Sequence, residues 1–110
     1  MNWTDELDTS SANLATLRQL QPDLAKGFTA LHHGTMGAGA LGVKEKELIA
    51  LAIGIAKQCA DCIGFHVRAA IKAGASREEV AETISVAVMM GGGPAFMYGA
   101  KALEAYDQLA

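Results

Sequence analysis

The stretch Lys44-Glu45-Lys46-Glu47-Leu48-Ile49-Ala50-Leu51-Ala52-Ile53-Gly54-Ile55-Ala56-Lys57-Gln58-Cys59-Ala60-Asp61-Cys62-Ile63-Gly64-Phe65-His66 decides the fold. It opens with charges and then runs from Leu48 to Ala56 without one, apolar on nearly every side, which marks a central, buried helix. Lys57-Gln58 closes that helix, and another starts between Cys59 and Asp61. At about 100° per residue, Cys59 and Cys62 lie roughly 60° apart and Cys62 and His66 roughly 40° apart. Two thiols and an imidazole therefore share one helical face. Cys59 is expected at the helix N-terminus, where unpaired N–H groups and the dipole stabilise a thiolate. His66, one turn below Cys62, can accept its proton.

On the N-terminal side, Ser10 or Ser11 is expected to cap a first helix carrying Leu14, Leu17, Arg18 and Leu20. Gln21-Pro22-Asp23 breaks the chain and restarts it as a helix with Leu24, Phe28 and Leu31 on one face, ending near Gly34 or Gly37. The glycines from Gly37 to Gly42 read as a loop. On the C-terminal side, Gly74 fits the residue that ends the cysteine-bearing helix. Ser76-Arg77-Glu78-Glu79 is a capping box, and Val80, Ile84, Ala87 and Val88 stripe the helix that it starts. Gly91-Gly92-Gly93-Pro94 ends that helix. A last one runs from about Pro94 to Leu109, with Phe96, Met97, Leu103 and Tyr106 as packing residues. Met89, Met90 and Met97 read as gap-filling core, and Trp3 as an anchor for the N-terminal segment. Alanine is abundant and no period-2 alternation appears, so the expectation is an all-α single domain of about six helices over residues 1–110.

Composition narrows the class. The net charge is −3 with a sequence pI near 5.5 and no basic run, which argues against a nucleic-acid partner. Two cysteines are too few for a secreted disulfide scaffold. The start Met1-Asn2-Trp3-Thr4-Asp5-Glu6 lacks the basic-then-apolar pattern of a signal peptide. The run Leu48–Ala56 is about half the roughly 20 residues that cross a bilayer, so no membrane partner is expected. A soluble, cytoplasmic chain follows, in which thiols are reduced by default and a close cysteine pair reads as redox or metal chemistry. A chain of 110 residues buries only about 65% of its unfolded surface. That small core, with an apolar central helix to cover, predicts a homo-oligomer with the site near a subunit interface.

Glu47 lies 12 residues before Cys59 and reaches the cysteines only if the next helix folds back. Its carboxylate would there orient His66 or relay protons. Glu45, about 200° away on the same helix, is expected in solvent. Other readings stay open. The cysteines could be two buried thiols, or part of a zinc site completed by Asp61, His32, His33 or a second chain. His32-His33 could simply suit a helix end. No cofactor is expected.

The segment Lys44-Glu45-Lys46-Glu47-Leu48-Ile49-Ala50-Leu51-Ala52 resembles a known family when joined to Cys59-x-x-Cys62-x-x-x-His66, Ala70 and Gly74-Ala75-Ser76-Arg77-Glu78-Glu79-Val80. From Leu41 to about Ala87 the chain looks like the AhpD-like alkylhydroperoxidase core of the carboxymuconolactone decarboxylase superfamily. The resemblance implies an all-helical fold that associates as trimers or hexamers, and a thiol-dependent peroxidase. It makes Cys62 the peroxidatic thiolate, His66 its base, Cys59 the resolving cysteine and Glu47 a member of the proton relay. It implies a hydroperoxide substrate and an external dithiol reductant, lipoyl-type or thioredoxin-like. Decarboxylase members lack the cysteine pair. A non-catalytic redox-sensing or assembly module and a lactone decarboxylase-like enzyme are the alternatives. Asp61 stands where some peroxidase members carry a histidine or an aromatic, and its negative charge is expected to raise the Cys62 pKa and slow attack.

Overall fold

Six helices and no strand make up the computed structural model, which describes residues 1–110. They are α1 (Trp3–Leu20), α2 (Pro22–Met36), α3 (Val43–Ala56), α4 (Ala60–Lys72), α5 (Arg77–Gly91) and α6 (Gly93–Leu109). Helices α3 to α6 pack on one another as the core, α1 lies against α4 and α6, and α2 packs lightly, mainly on α1 and α3. No helix is long and apolar enough to cross a membrane.

Helix α1 begins a full two turns before Ser10. The Asn2 side chain accepts the Asp5 N–H, and Asp5 and Glu6 occupy the first turn. Asparagine caps as well as serine does, and packing settles the choice. Trp3 is fully buried. Its backbone N–H donates to Gln108 Oε1 and its indole N–H to Glu104 Oε1, each at 2.8 Å. The N-terminus is thus anchored by Trp3, as expected, while Ser10 and Ser11 fall inside the helix.

The buried face of α6 also differs from expectation. Ala95, Gly99, Ala102 and Ala105 pack inward, whereas Phe96 and Met97 point out at 67% and 69% exposure. Small residues win because the helices approach closely: a Cβ on Gly99 would lie 2.5 Å from Ile84 Cγ2 on α5. Met89, Met90 and Met97 are all surface residues rather than core filler. Helix α5 carries the capping box, with Ser76 Oγ accepting the Glu79 N–H and Glu79 Oε1 accepting the Ser76 N–H. Glu79 also receives the Lys44 ammonium at 2.9 Å, tying the start of α5 to the start of α3.

Helix α3 is covered on one side only. Glu47, Leu51, Gly54 and Ile55 are buried, while Ile49 and Ile53 stand about half exposed. Helix α2 buries no residue, and Leu24, Phe28 and Leu31 are exposed. The radius of gyration, 14.1 Å, exceeds the ~13 Å expected of a compact chain of this length, consistent with an arm that stands off the body.

The turn between α3 and α4 positions the site. Gln58 adopts φ 58, its N–H donates to Ile55 O, and the Cys59 N–H donates to Gly54 O. This is a Schellman ending with glutamine in the left-handed position. The same pattern, with Gly74 at φ 95, closes α4. With so short a link α4 must fold back along α3.

Candidate redox-active site

Cys59 is the N-cap of α4, and its sulfur accepts the Cys62 N–H at 3.2 Å. It takes the position that a capping oxygen takes in other helices. The two cysteines are joined in a disulfide with their Cα atoms 5.2 Å apart. The thiol is the default for a cytoplasmic chain, and the structure holds the disulfide instead. The first turn of a helix brings residues three apart within bridging reach, and that is the form found here.

One turn on, His66 meets Glu47, with Nδ1 2.7 Å from Oε2. Glu47 lies on the same stripe as Leu51 and Ile55 and is buried, its side chain only 7% exposed, while His66 is half-buried. When the carboxylate accepts, the hydrogen lies on Nδ1 and Nε2 is the ring nitrogen left for other partners. Glu45 is exposed, as its angle on the helix predicts.

Cys62 and His66 line a cavity of about 790 Å³. The rest of its lining includes Leu14 and Leu17 of α1, Leu24 and Phe28 of α2, and Phe65 of α4. The apolar face of α2 thus lines a cavity rather than a core. A volume of this order is typical of small-molecule sites. Asp61 lines the same cavity, and its Oδ1 is buried without a hydrogen-bond partner. His32 reaches the cavity wall, whereas the adjoining His33, edge-on to it, does not. No group of three or more His, Cys, Asp and Glu side chains is gathered as metal ligands.

Sequence reasoning missed Gly54. A Cβ there would lie 3.3 Å from Cys62 Cβ, so the glycine lets α4 bring the disulfide against α3. Its signal is present in the sequence: glycine inside a strong helix costs about 1 kcal/mol against alanine, so it calls for a close approach. Arg18, Phe28 and Phe65 were also missed as cavity-lining residues. Nothing local marks them, because α1, α2 and α4 meet only through the tertiary fold.

Residues 22–105 match the carboxymuconolactone decarboxylase family. The chain is 40% identical over 93 residues to an uncharacterized protein of Cupriavidus necator, covering 84% of this chain and 82% of the relative. A Paracoccus denitrificans protein encoded in the cox locus is 35% identical over 100 residues, covering 91% of this chain and 90% of the relative. Among solved structures, a carboxymuconolactone decarboxylase family protein from Legionella pneumophila superposes with a TM-score of 0.94 at 45% identity, covering 97% of this chain and 96% of that one. A Thermotoga maritima protein of the same family, for which a role in antioxidative response is a stated possibility, superposes with a TM-score of 0.84 at 27% identity, covering 94% and 89%. The family match over most of the length, the six-helix fold and these relatives agree: the chain belongs to the carboxymuconolactone decarboxylase family.

Proposed function

We propose that the chain is an AhpD-like thiol peroxidase that reduces organic hydroperoxides and is itself re-reduced by an external dithiol. One observation carries the reading: a Cys59–Cys62 disulfide beside a Glu47–His66 pair, with Cys62 and His66 on the wall of an apolar cavity. In the reduced chain, His66 takes the Cys62 proton through Nε2, and Glu47 fixes the ring and stabilises the imidazolium. The Cys62 thiolate attacks the O–O bond and becomes a sulfenic acid, releasing the alcohol. The Cys59 thiol then displaces water from that sulfenic acid and restores the disulfide. A lipoyl-type or thioredoxin-like dithiol opens it again by exchange, leaving the reductant oxidised. The cycle needs a supply of reduced dithiol, which fits a cytoplasmic setting. The exposed apolar residues on α3, α5 and α6 support a homo-oligomer, trimeric or hexameric, as its working form.

A redox-sensing module is the second reading, favoured by the Asp61 carboxylate next to Cys62, which opposes a thiolate. Steady-state consumption of cumene hydroperoxide, driven by dihydrolipoamide or by thioredoxin with its reductase, separates the two. The peroxidase reading expects multiple turnovers by the wild type and none by Cys62→Ser. A single oxidation without turnover would favour sensing, and equal consumption by both proteins would reject a role for Cys62.

A further inference from the structure

One face of α1 lines the cavity from Ser10 to Gln21, a run of about 16 Å along the helix axis. Its apolar residues there, Leu14 and Leu17, are joined by Leu24 and Phe28 of α2, and all of these stand 41% to 59% exposed. Apolar side chains so open to water, grouped around one cavity, call for an apolar occupant. Arg18 follows Leu17 on the same lining and is the only lysine or arginine on it. It is exposed and joins no ion pair: those of the chain use the N-terminus, Lys44, His66 and Arg77. An unpaired surface arginine is ordinary, but this one shares a cavity with the reactive sulfur. A planar guanidinium beside an apolar wall suits a carboxylate on an apolar chain, because its paired N–H groups match the two oxygens. The carboxylate already on the lining, Asp61, precedes Cys62 in the chain and is not paired with Arg18.

We propose that the cavity takes hydroperoxides of long-chain carboxylic acids, and that Arg18 selects them by pairing with their carboxylate. The inference rests on the peroxidase reading of this site and names its substrate class. Charge sets the direction of binding. The acid group is drawn to Arg18 and repelled by the Asp61 charge, so the hydroperoxide rather than the carboxylate is presented to Cys62. The chain between them covers the leucines and Phe28. At the sulfur, the Cys62 thiolate takes the terminal hydroperoxide oxygen with its hydrogen, forming the S–O bond as the O–O bond breaks. The electron pair leaves on the oxygen that stays with the chain, and that oxygen gains the proton His66 took from Cys62. The products are Cys62 sulfenic acid and a hydroxy acid, and Cys59 then closes the disulfide with loss of water. Arg18 takes no part in these bond changes. It decides which hydroperoxide is held.

An acid and its methyl ester supply the test, since they differ in the one group that Arg18 reads. The pre-reduced full chain, as wild type, Arg18→Gln and Lys26→Gln, is oxidised by linoleic acid hydroperoxide, by its methyl ester and by cumene hydroperoxide, each below its micelle concentration. Lys26 is an exposed cation of α2 outside the cavity lining and controls for net charge. The wild type should react with the acid about fivefold faster than with the ester, the scale of an ion pair that water still reaches. Arg18→Gln should lose that preference and Lys26→Gln keep it, with cumene hydroperoxide oxidising all three alike. A second measurement needs no chemistry: the disulfide form is titrated with the fluorescent fatty acid cis-parinaric acid, which Arg18→Gln should bind about fivefold more weakly than wild type. An active wild type whose preference survives in Arg18→Gln, or is lost equally in Lys26→Gln, overturns this proposal alone. So does an Arg18→Gln slowed equally with cumene hydroperoxide, which would mark a structural role. A wild type no faster than Cys62→Ser with every hydroperoxide overturns the peroxidase reading; weaker binding of the fluorescent acid by Arg18→Gln would then still support the carboxylate contact, and equal binding would overturn it.

Discussion

Glu47 is the one charged side chain in the buried core, and His66 is what it holds. Replacing His66 by alanine strands a carboxylate that is 7% exposed, at a cost of about 1–3 kcal/mol. Thermal melting should show His66→Ala less stable than wild type, and Glu47→Gln, which keeps an acceptor for Nδ1, less affected. Equal melting temperatures for His66→Ala and wild type would mean the pair contributes nothing to the fold. At this scale the site was largely legible. Cys59, Cys62 and His66 are spaced by helix geometry, which sequence displays directly. Glu47 was legible only as a condition, because its meeting with His66 depends on the turn at Gln58. That turn uses a glutamine at φ 58 where a glycine would have announced it.

Among the elements, glycines set the approach of helices to the site. A Cβ on Gly64 would lie 2.7 Å from Leu7 Cδ2 and 2.9 Å from Trp3 Cε3, both fully buried side chains of α1. Gly64→Ala must push α1 away from α4, and a loss of about 1–3 kcal/mol is expected in chemical denaturation. An unchanged denaturation midpoint would show that α1 yields freely. The capping box makes a second prediction. The backbone N–H of Ser76, then Lys44, holds the Glu79 carboxyl below its usual range. A lowered carboxyl pKa stabilises the fold above the unfolded value and loses that contribution as pH falls through the folded one. Between about pH 5 and pH 3, the wild-type melting temperature should fall more than that of Glu79→Gln. Parallel declines would contradict the assignment. Helix count and most ends were legible from caps and glycines. The start of α1 and the inward face of α6 were not. The first is set by the Trp3 contacts to Glu104 and Gln108, and the second by alanines and a glycine that allow close packing.

For the molecule as a whole, exposed apolar surface is the dominant feature. Ile49 and Ile53 on α3, Val86, Met89 and Met90 on α5, Phe96 and Met97 on α6, and Leu31 on α2, outside the cavity, lie open. Surfaces of this kind mark association. Light scattering at micromolar concentration should return a multiple of 11.4 kDa, and Ile53→Lys should lower it. A monomeric mass for the wild type would contradict this. The central helix was legible as apolar all round, but which side its own chain covers was not, since that depends on where α4, α5 and α6 pack. Whether Cys59 and Cys62 reduce hydroperoxide is tested most directly by a single-turnover count. The fully reduced chain, with its two thiols, is mixed with an equimolar amount of cumene hydroperoxide, and thiols and alcohol are counted. Both thiols should disappear as an equimolar amount of alcohol forms, with Cys62→Ser doing neither. Thiols that persist in the wild type, or alcohol formed equally by Cys62→Ser, would contradict it.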